Sequence, residues 1–181
     1  VLARRLALGR QEVSRNLQIL ATHPSALAAL EGAGASSEAQ LATLFERIML
    51  ANPSYFQIRL ISADENGLER VRIDRDGEQL LRVVGDDLQE KGHYPYVSDT
   101  LKLSGGKTYL SRIVINHERG AHSGLHQPTV LLATPVTNTH SETIGLIVIN
   151  VDLNGTFALL KADLPAEFGL YLTNAEGDYL I

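Results

Sequence analysis

Residues 55–74 read YFQIRLISADENGLERVRID, and this stretch decides the fold. Apolar and polar side chains alternate on both sides of Asp-Glu-Asn-Gly, which is the pattern of two half-buried strands joined by a turn. The dipeptide Asn66-Gly67 tolerates positive φ angles and favours a tight β-hairpin. We therefore predict strands over Tyr55–Ser62 and Leu68–Asp74 that share one apolar face and one polar face.

A two-residue turn at Asn66-Gly67 would fix the pairing of these strands. It places Arg59 opposite Asp74, and Ile61 opposite Arg72, on a face that also carries Gln57 and Arg70. The other face is apolar and carries Phe56, Ile58, Leu60, Val71 and Ile73.

Two interpretations of the polar face remain open. It could be solvated, with Arg59 and Asp74 forming an exposed ion pair worth about 0–1 kcal/mol. Alternatively, later strands and loops could cover it and form a pocket. Arginine side chains in such a pocket could bind a carboxylate or phosphate through two parallel hydrogen bonds.

Helical patterns precede the hairpin. An apolar residue or glycine recurs every three or four positions from Leu2 to Leu20, which predicts a long amphipathic helix. Ser37 and Gln40 form a capping box that predicts the start of another helix. After the hairpin we predict a strand over Gln79–Val84, a short helix over Val97–Leu103, and strands over Thr108–Ile115, Thr129–Val136 and Thr143–Leu153.

This order of elements indicates an α+β fold. Helices followed by an antiparallel meander suggest a PAS-like or profilin-like antiparallel sheet, with the helices, including the long N-terminal one, packed on one face. The last residues, 169–181, look like the start of a further hairpin. The chain opens at Val1 inside a helical pattern and stops at Ile181 inside a strand-like stretch, so we expect a piece of a longer protein.

Composition excludes several classes of function. The net charge of −5, with no stripe of lysine and arginine, argues against nucleic-acid binding. The absence of cysteine rules out disulfides and thiolate metal sites. No segment approaches the roughly 20 apolar residues that span a bilayer. The 44% of hydrophobic residues is enough for a real core.

Three possible chemical sites are weak. The histidines at 117, 122 and 126 lie in a glycine-containing loop, where a helical zinc motif is not expected. Ser111 lacks the glycines of a nucleophile elbow, and Gly105-Gly106-Lys107-Thr108 lacks the first glycine of a phosphate loop. We predict no catalytic residue, no metal and no cofactor in this chain.

Several segments, in this order and spacing, resemble the bacterial extracytoplasmic Cache sensor domains, also called PDC domains. They are Gln57-Ile-Arg59, Gly67-Leu-Glu-Arg-Val-Arg-Ile-Asp74, His93-Tyr-Pro-Tyr96, Tyr109-Leu-Ser111 and Gly145-Leu-Ile-Val-Ile-Asn-Val-Asp152. The resemblance is to the double-Cache kind found on sensor histidine kinases, diguanylate cyclases and chemoreceptors. It implies an N-terminal signalling helix in 1–30, a membrane-distal sensor domain in 31–158, and the start of a second module or a C-terminal extension in 159–181.

The resemblance also implies a ligand site between the sheet and its loops. The implied positions are Arg59 and Arg72 as anion forks, Tyr96 and Tyr109 as walls, Ser111 as a hydroxyl donor, Asp152 as an acceptor for a ligand ammonium, and Asp74 and Tyr94 as further ligand-binding residues. In another register Asn150 or Asn154 could replace Asp152. Relatives often carry arginine at the positions of Tyr94 and Leu131, and an aromatic residue at that of Val97. Because this chain has fewer cationic side chains at the site than those relatives, its ligand could be neutral or zwitterionic, or the site could bind no ligand.

The function implied is ligand sensing outside the cytoplasm. The full-length protein would be a signalling protein of the inner membrane, a sensor histidine kinase in the first instance, with this domain in the periplasm. Its ligand would be a small carboxylate, amino acid or similar metabolite, and the N-terminal helix could form a homodimer. The alternatives are the sensor of a diguanylate cyclase or chemoreceptor, or a dimerisation and relay module that binds no ligand.

Overall fold

The computed structural model describes residues 2–115, 127–173, 175 and 177. In these residues the helices are α1 (Leu2–Thr22), α2 (Pro24–Leu30), α3 (Ala35–Ala51), α4 (Pro95–Leu101) and α5 (Asn154–Ala162). The strands are β1 (Tyr55–Ser62), β2 (Glu69–Asp76), β3 (Gln79–Val83), β4 (Tyr109–Leu110), β5 (Val114–Ile115), β6 (Pro128–Thr137) and β7 (Thr143–Asp152). None of the described helices is long and apolar enough to cross a bilayer.

The described strands form one antiparallel sheet in the order β3-β2-β1-β7-β6-β4, and β5 also pairs with β6. The first and last of the described strands, β1 and β7, lie side by side at its centre. These two strands and β6 are almost entirely buried. The predicted α+β fold with an antiparallel sheet is confirmed.

Helices α1, α2 and α3 cover one face of this sheet and form the main core with it. The predicted stripe on α1 is buried at Val13, Leu17 and Leu20 because these side chains point toward the sheet. From the strands, Ile58 and Ile147 meet them in the same apolar cluster. Burial of such side chains contributes roughly 1.5–3 kcal/mol each, so this layer is a main source of stability.

Helix α4 lies on the opposite face of the sheet, where it forms a second, smaller apolar cluster through Tyr96 and Val97. The expectation that the helices share one face therefore holds for α1 to α3 but not for α4. Proline at the first position of α4 starts the helix at residue 95, two residues before the predicted start.

The hairpin pairs in a different register from the predicted one. Arg59 lies opposite Arg72, and Gln57 lies opposite Asp74, so the predicted pairs Arg59–Asp74 and Ile61–Arg72 are wrong. The turn is longer than two residues because Glu65, Asn66 and Gly67 all have positive φ angles, of 55°, 56° and 72°. The pairing has shifted by two residues, which keeps each of these side chains on its predicted face.

A β-bulge interrupts the same pair of strands at Arg70. Leu60 pairs with Val71 and Ile61 with Glu69, which leaves Arg70 as the extra residue. The Arg70 side chain therefore lies 3.3 Å from Glu38 of α3, on the helix-covered face, rather than on the face of Arg72. The prediction that placed Arg70 with the other polar residues is wrong for this reason.

Two other local predictions need correction. Helix α3 begins at Ala35 after Gly34, whose φ of 98° favours glycine, and Ser37 lies inside the first turn, so the capping box does not form. The predicted strand over 108–115 is split into β4 and β5. Ser111 interrupts it because its hydroxyl, instead of a backbone carbonyl, accepts the hydrogen bond from the Leu131 amide. The end of the predicted C-terminal hairpin lies outside the described residues.

Candidate functional site

Four charged side chains lie together on the face of the sheet opposite α1 to α3. Arg59, Glu69, Arg72 and Asp74 are exposed by 0%, 0%, 2% and 1%, respectively. Their formal charges sum to zero. The interpretation of this face as a solvated surface with an exposed ion pair is wrong, because α4 and the segment before it cover the cluster.

Arg72 and Asp74 form the tightest pair of the cluster. The Nε and Nη2 atoms of Arg72 donate to the two carboxylate oxygens of Asp74 at 2.9 and 2.7 Å, and Gln57 donates to the same carboxylate at 2.8 Å. Burial alone lowers the pKa of Arg72. The hydrogen bonds that Arg72 donates to Asp74, together with the charges of Glu69 and Asp74, outweigh burial, so the pKa of Arg72 is raised above its ordinary value. This guanidinium is a permanent cation.

Glu69 is held less tightly. Its Oε2 accepts from Nη1 of Arg72 at 3.2 Å and from the backbone amide of Gln89 at 3.1 Å. Its Oε1 lies 3.5 Å from Nη1 of Arg59 and accepts no hydrogen bond from the described residues. The carboxylate thus bridges two strands and a loop through long contacts.

Arg59 connects the charged cluster to the aromatic side chains. It donates to the hydroxyl of Tyr96 at 2.8 Å and to Oδ1 of Asn150 at 2.9 Å. Its guanidinium carbon lies 5.2 Å from the centre of the Tyr96 ring, within the range of a cation–π contact. Arg59 is therefore fixed by β1, α4 and β7 together.

Tyrosines form a wall beside Arg59. The rings of Tyr94 and Tyr96 stack with centroids 5.6 Å apart, and the buried ammonium of Lys91 lies 5.1 Å from the Tyr94 ring centre. Tyr109 on β4 packs against the smaller apolar cluster that Tyr96 and Val97 form on this face of the sheet. Burial, followed by the charge of Asp99, raises the pKa of Tyr109, so it presents a neutral phenol.

Backbone hydrogen bonds join the segment that precedes α4 to the hairpin turn. Lys91 and Gly92 donate their backbone amides to the carbonyls of Gly67 and Asn66, each at 2.8 Å. A Cβ on Gly67 would lie 2.5 Å from the backbone nitrogen of Gly92, so only glycine permits this contact. These contacts fix the segment that leads to Tyr94 and to Tyr96, whose hydroxyl and ring contact Arg59.

Ser111 and Asp152 do not join this cluster. The Ser111 hydroxyl bonds to backbone atoms of Arg112 and Leu131. Ser111 also lines a cavity of about 410 Å³ that α1 borders through Leu6 and Val13. Asp152 accepts from the amide of Asn154 at 2.9 Å at the start of α5.

A second cavity, of about 390 Å³, opens beside the charged cluster. Its lining includes Arg72 and Gln89, together with Val83 and Val84 at the end of β3. Arg72 and Gln89, which both donate hydrogen bonds to Glu69, thus border this cavity. In the described part of the chain no group of three or more histidine or carboxylate side chains could hold a metal ion. The histidines at 117, 122 and 126 lie outside the described residues.

Comparison with known proteins identifies the family. The family model described as bacterial histidine kinase, sensor domain, matches residues 2–181. The chain belongs to this family of sensor domains. No curated protein sequence matches it.

Solved structures share the fold of this histidine kinase sensor domain. A domain of a protein assigned to the sensory box/GGDEF family of Vibrio parahaemolyticus superposes with a TM-score of 0.81 at 19% identity, over 99% of this chain and 67% of the other. The extracellular domain of the histidine kinase vpHK1S-Z8 gives 0.73 at 18% identity, over 88% and 56%. The ligand-binding domain of the Campylobacter jejuni chemoreceptor Tlp3, in complex with L-norvaline, gives 0.64 at 12% identity, over 91% and 57%.

This sensor domain thus spans between about half and two thirds of the solved chains that it matches. Its fold is that of the Cache/PDC sensor domains of histidine kinases, GGDEF proteins and chemoreceptors, as the sequence resemblance implied. The described residues show no catalytic arrangement.

Sequence reasoning missed two residues of the sensor domain's candidate site: Glu69 of the charged cluster, and Asn150, which accepts a hydrogen bond from Arg59. Strict alternation from Val71 and Ile73 assigns Glu69 to the apolar face, and the bulge at Arg70 moves it to the polar one. Asn150 was considered only as a substitute for Asp152, because its partner Arg59 is 91 residues away in sequence. The sequence could have indicated this position of Glu69 only through an extra residue in the second strand, which is what a β-bulge inserts.

Proposed function

We propose that this chain is the extracytoplasmic ligand-sensing region of a transmembrane sensor histidine kinase. It would bind a small metabolite that carries a carboxylate, such as an amino acid, on the polar face of the sheet. The cytoplasmic kinase would lie in another part of the full-length protein, and the inner membrane would anchor this domain in the periplasm. A diguanylate cyclase or chemoreceptor output is compatible with the same sensor.

One observation carries the proposal: the buried guanidinium groups of Arg59 and Arg72 lie on the sheet face opposite the signalling helix, and Arg59 contacts the tyrosine wall there. Arginine recognises carboxylates through paired hydrogen bonds, and a tyrosine wall suits a small organic ligand. Support also comes from the chemoreceptor domain of the same fold that is in complex with L-norvaline.

We also propose the route by which binding is transmitted. A ligand on the polar face would shift the sheet against α1, which packs on the other face through Val13, Leu17 and Leu20. The ligand can shift the equilibrium between two arrangements of the sheet and α1 by no more than the difference in its binding free energy for them. In this proposal residues 1–30 form the signalling segment and 31–158 the sensor. Leu160 of α5 packs in the same core, which favours moving the end of the sensor domain to Ala162 and starting the second module after it.

A second candidate function is a dimerisation and relay module without a ligand. The neutral charge balance of the buried cluster favours it, because Glu69 and Asp74 already pair with both arginines. Such a module would transmit a change from a neighbouring module or partner protein.

A thermal-shift screen separates the two functions. Carboxylates, amino acids and polyamines are each added to the wild-type domain. A ligand present at about 100 times its Kd should stabilise the domain by about 2.7 kcal/mol, a rise in Tm of roughly 5–10 °C for a chain of this size. A domain that responds to none of these classes would favour the relay module.

A matched pair of variants locates the binding site. Tyr94→Ala should abolish the rise in Tm, because it removes the half-buried end of the tyrosine wall. Tyr171→Ala is the control, since Tyr171 is 77% exposed and distant in sequence from the cluster. An unchanged ligand response in Tyr94→Ala would place the ligand elsewhere on the domain.

A further inference from the structure

The two buried carboxylates of the charged cluster differ in how firmly they are held. Asp74 receives hydrogen bonds of 2.7, 2.8 and 2.9 Å, and it occupies both the Nε and Nη2 groups of Arg72. Glu69 has contacts of 3.1, 3.2 and 3.5 Å, and its Oε1 accepts no hydrogen bond from the described residues. A buried charged oxygen without a hydrogen bond is costly, so Glu69 is the more easily displaced carboxylate.

The groups around Glu69 form a cradle for one carboxylate. Arg72 on β2 and the backbone amide of Gln89 donate hydrogen bonds to it, and the guanidinium of Arg59 on β1 lies 3.5 Å from its Oε1. These groups come from three separate segments, and Glu69 is fully buried among them. Because Asp74 already occupies the other edge of Arg72, the cradle offers a single carboxylate position rather than two.

We propose that Glu69 is an internal stand-in for a ligand, and that the carboxylate of a monocarboxylic acid or amino acid displaces it from this cradle. The inference rests on the proposed sensing function and specifies its ligand class. The cavity of about 390 Å³ lined by Arg72 and Gln89 provides the approach. A dicarboxylate would gain nothing from its second group at this position.

Displacement of Glu69 would also change the loop. The Gln89 amide donates to the Glu69 side chain, whereas the neighbouring amide of Lys91 donates to the backbone carbonyl of Gly67. A ligand that takes the place of Glu69 therefore alters the bond of Gln89 and leaves that of Lys91 intact. Ligand exchange in the cradle is thus connected to the segment that leads into α4.

Chemical rescue tests the cradle. Glu69→Ala leaves a carboxylate-sized space between two guanidinium groups and should lower the Tm. Sodium acetate should restore most of that loss, while acetamide and sodium chloride at equal concentration should not. The control is Glu65→Ala, which removes an exposed carboxylate that pairs with Arg70 and should show no specific response to acetate. A Glu69→Ala protein that acetate fails to restore, including one that remains unfolded in acetate, overturns the cradle.

Amide NMR on the wild-type domain tests the displacement. Saturating acetate should shift the amide resonance of Gln89, whose hydrogen-bond acceptor would change from Glu69 to acetate, and leave that of Lys91 unchanged. An unchanged Gln89 resonance at saturating acetate overturns displacement of Glu69, even if the rescue succeeds. Both tests use acetate, so their failure is distinct from failure of the metabolite screen, which addresses the sensing function itself.

Discussion

Asp74 shows how the environment of one residue decides the strength of an ion pair. Its carboxylate forms two hydrogen bonds with Arg72 and a third with Gln57 in a site closed to solvent. Taking one partner from a buried pair leaves an uncompensated charge, whereas an exposed pair is screened by water. The Arg72–Asp74 pair therefore matters for stability because the loss of either partner would leave a buried charge uncompensated.

We expect Asp74→Ala to lower the free energy of unfolding by about 3–5 kcal/mol, because Arg72 would remain buried without its firmest partner. Glu38→Ala is the matched control. It removes the partner of Arg70 at a pair whose side chains are 23% and 26% exposed, so it should cost about 0–1 kcal/mol. Urea denaturation of both variants measures the difference. Equal losses would show that the buried pair has no special role.

At the scale of elements, α1 is connected to the far edge of the sheet by polar contacts as well as by apolar packing. Gln18 of α1 donates to the hydroxyl of Thr134 on β6 at 3.0 Å. The same hydroxyl donates to the carbonyl of Lys107, in the segment between α4 and β4, at 2.7 Å. Thr134 is fully buried, so this hydroxyl connects three elements in a dry environment.

Thr134→Val should remove both hydrogen bonds while it keeps the volume of the side chain. Because polar partners at a buried site lose their bonds, we expect a loss of about 1–3 kcal/mol in the free energy of unfolding. Thr43→Val is the control, since its exposed hydroxyl bonds only within α3. Hydrogen exchange along α1 supplies the second measurement, and unaltered protection near Gln18 would argue against Thr134 as a link between α1 and the α4–β4 segment.

At the scale of the whole molecule, α1 has apolar side chains on the surface that faces away from its own sheet. Leu8 and Ile19 are 57% and 54% exposed, and they lie eleven positions apart. At 3.6 residues per turn this spacing places them on one line along the helix, away from the buried Val13, Leu17 and Leu20. This surface could pack against the same surface of a second copy, in keeping with the expected homodimer.

We expect the domain to form dimers at high concentration and Ile19→Glu to make it monomeric, because a charge in an apolar helix–helix contact is costly. Leu159→Glu changes an equally exposed residue of α5, at 62%, and should leave the dimer intact. Sedimentation equilibrium measures the association of all three proteins. A wild-type domain that stays monomeric at the highest soluble concentration would exclude self-association through α1.

The sequence alone determined most of the elements and, outside the bulge at Arg70, the faces of the hairpin strands. The long helix, the hairpin and the β-branched strands follow from periods of 3.6 and 2.0, which depend only on neighbouring residues. The polar face of the hairpin was recognised for the same reason, and Arg59, Arg72 and Asp74 lie on it as predicted. A shift of two residues in the register left that pattern unchanged, since side chains alternate with a period of two.

Tertiary structure decided the partners within that face. The bulge at Arg70 brought Glu69 into the cluster, and contacts distant in sequence brought Asn150 and Tyr96 to Arg59. It also separated Ser111 and Asp152 from the arginines, because both accept hydrogen bonds from backbone amides at other sites. Local periodicity fixes the direction of a side chain, but only the folded chain brings together the groups that neutralise a buried charge.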